Sequence, residues 1–399
     1  MSVTSITSIT SITSINEEVP RELGYHLLVA IHLLNPLWDA SGGSEWRTLS
    51  LFEQLAEHTE VSLWTEYKPD PILRGQYPIR EMQATNSFPV HGTFVFIGVY
   101  WRIGRWLELA RPDRVILTYN VVDPETLEIQ IEHLESVTGR KVELVFASPM
   151  MAEHANGRTG VVEYSPIDLE KFSPPFEQSR NPVAGQSLVI GRHSRDEAFK
   201  HHPDDPALYA RLAEMGFSVR ILGGMCLAEK ANGSMGELEN GTSYSLPGPF
   251  THSPIRPLTH SPIDPFAHPP PFTSPIELLP AGAVPAAEFL RSLDVFFYRT
   301  DPGWLEAYGR VVAEAMGCGL PCVVEARGGY TTLIRHGENG FLFSTQDEAL
   351  GLLEQLRDDP ELRARVGVAA RASVASRYEE ERQGMLDFYL SGRLNQLDR

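Results

Sequence analysis

The stretch that most constrains the fold is Asp294 to Val324. Asp294-Val-Phe-Phe-Tyr298 is a short apolar and aromatic run that reads as a buried strand, and Pro321-Cys-Val-Val324 begins another. Between them Arg310 to Met316 has helical composition, and Gly317, Gly319 and Pro321 stop a helix. Strand, loop, helix, strand is a βαβ unit, which requires a parallel sheet. In such sheets ligands bind outside the carboxyl ends of the strands, where helix N-termini present unpaired amides. Glu306 falls in that loop and Glu314 lies inside the helix that follows. An anion on the helix N-terminus would have a carboxylate on either side, each suited to accept hydrogen bonds from hydroxyls. A diphosphate between two polyols has that shape. Arg310 and Glu314, at i and i+4, would equally form a surface ion pair worth about 0.2–0.5 kcal/mol. Glu306 would equally be a solvated loop carboxylate.

A chain of 399 residues predicts two domains, each able to bury a core. A net charge of −18 argues against nucleic-acid binding, because no basic surplus exists to release counterions. Cys226, Cys318 and Cys322 form no disulfide framework, and the latter two read as small packing residues. No run of 18 apolar residues suggests a membrane span, and no export signal opens the chain, so a cytoplasmic location is expected. There is no glycine fingerprint of a nicotinamide dehydrogenase, no P-loop and no pair of aspartates separated by one residue.

Residues 1–19 repeat Thr-Ser-Ile and read as a disordered leader. His26 to Leu33 reads as a strand, Ser41 to Glu45 as a tight turn and Trp46 to Ala56 as a helix, the opening of a Rossmann-like domain over 20–172. Tyr100 to Trp106 is aromatic and basic; helix-start packing and an acceptor pocket both explain it. Asn120 ends a strand and cannot titrate, so no general base is assigned there. Residues 173–186 read as a linker, and 187–377 as a second Rossmann-like domain. A proline-rich insertion at about 232–280 repeats Thr-His-Ser-Pro-Ile and excludes helix and central strand. Helices are expected at Gln346–Arg357 and Glu361–Ala375, with a last one from about Glu379 to Leu394, in the segment 378–399, returning to the first domain.

A longer pattern is superimposed on these elements. Glu306, seven residues, Glu314, then Ala315-Met316 and Gly319-Leu-Pro321, with Gly328-Gly329 and Asn339-Gly340 downstream, resembles the signature of retaining glycosyltransferases of the GT-B fold, family 4. Gly42-Gly43-x-Glu45 and the segment Ser165 to Phe172 are similar to that family too. The resemblance implies an α/β fold in which two Rossmann-like domains face each other across a cleft. It implies transfer of a sugar from a UDP- or GDP-sugar to a glycan, lipid-linked or small-molecule acceptor, without metal or other cofactor. Residue by residue, it places Arg195 and Lys200 on the donor diphosphate, Glu306 on the donor hexose and Glu314 on the ribose. Gly42, Gly43, Ala307, Tyr308 and Gly309 would line the donor site, and the double glycine Gly328-Gly329 permits close backbone approach to a phosphate or sugar. Asn120 stands where family members often have histidine, Thr332 where they usually have glutamate, and Ser165-Pro166 where they have Asn-Gly. A non-catalytic sugar-nucleotide-binding protein, or a sugar-nucleotide epimerase or hydrolase on the same fold, is the alternative. Neither the acceptor nor the oligomeric state is legible.

Overall fold

The computed structural model describes residues 30–83, 87–175, 187–227 and 275–391. The expected leader, most of the linker and residues 232–274 of the proline-rich insertion lie outside the described residues.

Seven strands form the first sheet: β1 Ile31–Leu34, β2 Val61–Thr65, β3 Ile79–Glu81, β4 Thr93–Ile97, β5 Arg114–Tyr119, β6 Val142–Phe146 and β7 Gly160–Val162. Their order is β3-β2-β1-β4-β5-β6-β7, and every pairing is parallel. Six strands form the second: β8 Val189–His193, β9 Ser218–Leu222, β10 Ile276–Leu279, β11 Val295–Tyr298, β12 Cys322–Glu325 and β13 Phe341–Phe343. These run β10-β9-β8-β11-β12-β13, again all parallel. The apolar runs are continuous rather than alternating because the sheets are covered on both faces; all four residues of β11 are buried. Strand order reverses between β1 and β4 in one sheet and between β8 and β11 in the other. Crevices at such reversals are where open α/β sheets bind ligands.

Helices α1 Gly43–Ala56, α2 Pro71–Gln76, α3 Pro124–Thr138 and α4 Pro149–Glu153 belong to the first sheet. The second carries α5 Asp205–Glu214, α6 Ala286–Arg291, α7 Arg310–Gly317 and α8 Gln346–Asp358. The expected βαβ unit is β11, α7 and β12. Cys318 and Cys322 are buried there as packing residues, and burial pushes the Cys322 thiol up.

Three boundaries differ from expectation. The insertion expected at about 232–280 stops earlier, since Ile276–Leu279 form β10 at the edge of the second sheet. α1 begins at Gly43 rather than Trp46, so Gly43, Ser44 and Glu45 are its first turn and not a preceding loop. The two helices expected after Pro360 are one, α9, running from Pro360 to Ser391. Ser376-Arg377-Tyr378 contains neither glycine nor proline, so nothing ends the helix there. Its first turns pack Leu362 and Val366 against the second core. Its last turns pack Met385, Leu386, Phe388 and Tyr389 against Ile31, Leu33 and Leu49 of the first. Two polar bonds fasten that end: Tyr389 donates to Glu163 Oε2 at 2.6 Å, and Arg114 donates to the Phe388 carbonyl at 2.7 Å.

Candidate active site

The carboxyl end of β11 runs into a loop, residues 299–309, that carries Glu306. Two arginines set the path of this loop. Arg192, fully buried on β8, donates to the carbonyls of both Arg299 and Lys200. Arg327 donates to the carbonyls of Asp301, Pro302 and Trp304 at 3.0, 3.1 and 2.8 Å. Forked cations thereby hold the loop at Arg299, Asp301, Pro302 and Trp304, and the Lys200 turn is tied to the same scaffold.

Glu306 Oε1 accepts from Lys200 Nζ at 2.5 Å, from the Tyr298 hydroxyl at 2.9 Å and from Trp304 Nε1 at 3.3 Å. Burial pushes this carboxyl up, but Lys200 and the two other donors more than reverse that, so its pKa lies below the ordinary range. Glu306 is not the solvated loop residue it would equally have been.

Glu314, 7% exposed, sits between two bases. Arg310 Nε donates to its Oε1 at 2.9 Å. His193 Nε2, at the end of β8, lies 3.1 Å from its Oε2 but outside hydrogen-bond geometry. Burial acts upward on the carboxyl most strongly; His193 and Arg310 together outweigh it, and the pKa is lowered. The i,i+4 pair therefore exists, but buried rather than on the surface. Arg310 continues to Ser165 Oγ and the Pro166 carbonyl at 2.9 and 2.6 Å, so the Glu314 partner also binds the end of the first sheet's unit.

Arg195, in the loop after β8, faces Asp39 Oδ2 at 3.5 Å across the cleft and Glu197 Oε2 at 3.1 Å on its own side. Lys200 ends a short 3-10 turn, its ammonium 4.8 Å from the centre of the Trp304 ring. The structure thus brings Arg195, Lys200, Glu306 and Glu314 to the carboxyl ends of β8 and β11.

The other expected residues are placed differently. Ala307 presents its carbonyl to Ser148 Oγ of the first unit at 2.5 Å. Tyr308 turns away from the cleft; its hydroxyl meets that of Tyr378 at 2.8 Å, and Tyr378 donates on to the Ser165 carbonyl at 2.9 Å. Gly309, at φ 78°, precedes the helix. Gly329 was expected to admit a phosphate or sugar, yet a Cβ there would stand 2.0 Å from the Ala307 carbonyl oxygen and 2.6 Å from Ser148 Oγ. It is the protein's own backbone that needs the room. Gly42 and Gly43 also divide. A Cβ on Gly43 would meet nothing within 4 Å, whereas one on Gly42 would lie 1.9 Å from Glu45 Oε2. The space over Gly42 is filled by the Glu45 carboxyl, whereas Gly43 is exposed.

Residues 281–373, which span the loop, α7, β12 and β13, match the family described as glycosyl transferases group 1. HepE of Anabaena, crystallised with UDP-glucose, superposes with a TM-score of 0.62 at 13% identity, over 92% of this chain and 100% of that one. Sucrose-phosphate synthase of Thermosynechococcus elongatus superposes at 0.63 and 15%, over 91% and 98%. The chain has the GT-B fold of these structures, and its residues 281–373 are similar to the group 1 glycosyltransferases. Among curated relatives, a D-inositol 3-phosphate glycosyltransferase of Thermomonospora curvata is 40% identical over 86 residues, 21% of this chain and 19% of that protein. An N-acetyl-alpha-D-glucosaminyl L-malate synthase of Bacillus anthracis is 34% identical over 99 residues, 24% and 25% of the two. The chain therefore matches a quarter or less of the length of these relatives.

Sequence reasoning missed several members of this site. Residue spacing does not disclose His193, Tyr298 or Trp304 as partners of the two glutamates, because the contacts come from different strands. A histidine and an arginine two apart at the end of the second unit's first strand were the available signal. Asp39 and Ser148 reach the site from the other unit, which no local pattern encodes. Among the described residues no helix is long and apolar enough to cross a membrane.

Proposed function

We propose that this chain transfers a hexosyl group from a nucleoside diphosphate sugar to a hydroxyl acceptor, with retention of anomeric configuration, in the cytoplasm. The observation that carries this is the placement of Glu306 and Glu314, each buried beside a cation, with Arg195 and Lys200 at the end of one crevice. A UDP-sugar is the first donor to test, because HepE was crystallised with UDP-glucose.

In this reading Glu314 accepts hydrogen bonds from the ribose hydroxyls and Glu306 from hydroxyls of the hexose. The bond from the anomeric carbon to the diphosphate oxygen breaks, and its electron pair leaves with the diphosphate. The acceptor oxygen bonds to the same carbon, and its proton passes to a diphosphate oxygen on the same face. Negative charge grows on the leaving group, so fixed cations lower the barrier. Lys200 has three donors and holds a phosphate oxygen while keeping Glu306. Arg195 exchanges Asp39 and Glu197 for the diphosphate, a forked acceptor that suits a guanidinium. Catalysis is expected to need no metal ion or other cofactor, so turnover should persist in EDTA.

The deciding experiment follows UDP release from UDP-glucose, UDP-N-acetylglucosamine and other UDP-sugars, with and without sugar acceptors. Transfer predicts release that rises with acceptor concentration. Release independent of acceptor would mark a hydrolase, epimerised donor without release an epimerase, and binding with neither a non-catalytic sugar-nucleotide binder.

A further inference from the structure

Arg310 opens α7, and its guanidinium joins Glu314 to the first unit. Nε donates to Glu314 Oε1 at 2.9 Å, one turn further along the helix. Nη1 donates to Ser165 Oγ at 2.9 Å and to the Pro166 carbonyl at 2.6 Å. Ser165 is buried and follows β7, so both of these acceptors belong to the first unit. Three of the five guanidinium N–H groups are thus engaged, on both sides of the boundary between the units. Ser165 and Pro166 stand where the similar glycosyltransferases have Asn-Gly, and the serine side chain is one of the acceptors, so the family pattern does not carry this contact. The other Glu314 oxygen, Oε2, lies 3.1 Å from His193 Nε2, outside hydrogen-bond geometry. The last torsion of a glutamate is broad, so the carboxylate turns readily unless something holds it. Fixing one oxygen fixes the direction of the other.

We propose that Arg310 is a positioning residue for the nucleotide: it holds Glu314 Oε1 so that Oε2 faces the ribose, and its grip on Ser165 and Pro166 makes nucleotide affinity depend on the contact between the two units. The assignment rests on the reading of Glu314 as the ribose ligand. A lone ion pair on a helix surface holds its carboxylate weakly, because water competes for both partners. Here the two side chains are 12% and 9% exposed, and the far end of the guanidinium is fixed by the other unit. The fixing groups are a hydroxyl and a carbonyl, so they orient the cation without competing as charges for it. Carrying Ser165 and Pro166 away would free the guanidinium to turn, and Glu314 with it. Ribose binding and the seating of the two units therefore favour each other, and such a coupling runs in both directions.

The test is titration calorimetry of UDP into the full chain, in the wild type and in a Glu314→Gln background. Arg310→Met should weaken UDP by about tenfold. With an acceptor that accelerates UDP release, it should raise the donor KM by about tenfold and leave kcat within about threefold, as loss of binding common to ground and transition states requires. Arg310→Lys keeps the charge but not the fork, and should stay at least about threefold weaker than the wild type. Ser165→Ala leaves the Arg310–Glu314 pair intact and removes only a contact with the first unit; it should weaken UDP by about threefold. In the Glu314→Gln background none of the three should weaken UDP by more than about twofold further, because each acts through that carboxylate. Losses that add in full to that of Glu314→Gln overturn the positioning role, and so does wild-type affinity in Arg310→Lys or Ser165→Ala. If UDP fails to bind the wild type, or binds Glu314→Gln equally well, the ribose assignment itself falls and takes this inference with it, so the two failures are separable.

Discussion

The two faces of the cleft use the same residue in opposite ways. On the second unit Glu306 and Glu314 are buried beside Lys200, His193 and Arg310, and both carboxyls are held below their ordinary range. On the first unit Glu45 is as deeply buried, has no such partner, and is pushed up to about 8. Depth of burial is shared, so the difference lies in the neighbours. One face is charged and compensated. The other leaves its buried carboxyl with no side-chain donor among the described residues.

The sharpest way to break that contrast is to remove charge from the second face. Arg195→Ala should lower turnover by about 10²–10³-fold, because its cation meets charge that grows towards the transition state. A change under about threefold in initial rate would show that the diphosphate lies elsewhere.

Next in size is the buried ion pair. Lys200→Met leaves Glu306 with Tyr298 and Trp304 alone and should cost about 3 kcal/mol in denaturant unfolding, somewhat less to the extent that water screens the site. Adding Glu306→Gln should restore part of this loss, since the stranded charge is gone. Additive losses would mean that the two side chains do not share an energy.

Glu45 should behave in the reverse sense. The folded state binds its proton more tightly than the unfolded chain, so the stability it contributes is full below the ordinary carboxylate range. That stability is lost as pH rises from about 4.5 to about 8. Glu45→Gln abolishes the loss. Its unfolding free energy should therefore gain on the wild type steadily between pH 5 and 8 and level off above, by at most about 4 kcal/mol, measured by denaturant unfolding. A difference that does not vary with pH contradicts the isolated, buried carboxyl.

Smallest is Tyr378→Phe, which removes the bond to the Ser165 carbonyl and the partner of the Tyr308 hydroxyl. About 1 kcal/mol of stability should go, with donor affinity unchanged. A large loss of donor affinity would mean that this tyrosine pair shapes the site.

Much of the second unit was legible. The run Val295 to Glu325 carries its strand, helix and strand in apolar content and glycine stops, and Glu306 and Glu314 sit where that unit places them. The family-like order of residues assigned Arg195 and Lys200, which share no local pattern with the glutamates. Three things were not legible, each for a physical reason. The continuity of α9 depends on what is missing, since Ser376 to Tyr378 carries no breaker, and a domain change was expected to interrupt it. Gly329 looked like a ligand-facing glycine because sequence does not disclose that Ser148 and the Ala307 carbonyl fill the space. The upward push on the Glu45 carboxyl comes from burial in the folded chain, so from sequence this residue, two after a double glycine, read as part of a turn.

The central claim is that Glu314 holds the nucleotide ribose and Glu306 the transferring sugar. Titration calorimetry of UDP into the wild type, Glu314→Gln and Glu306→Gln tests it directly. Glu314→Gln should weaken UDP by about tenfold, through loss of charge from hydrogen bonds worth about 1.5–3 kcal/mol each. Glu306→Gln should leave UDP affinity nearly unaltered, because UDP lacks the sugar. Equal UDP affinity in the wild type and Glu314→Gln would contradict the account, leaving Arg310 and Glu314 as a structural pair alone.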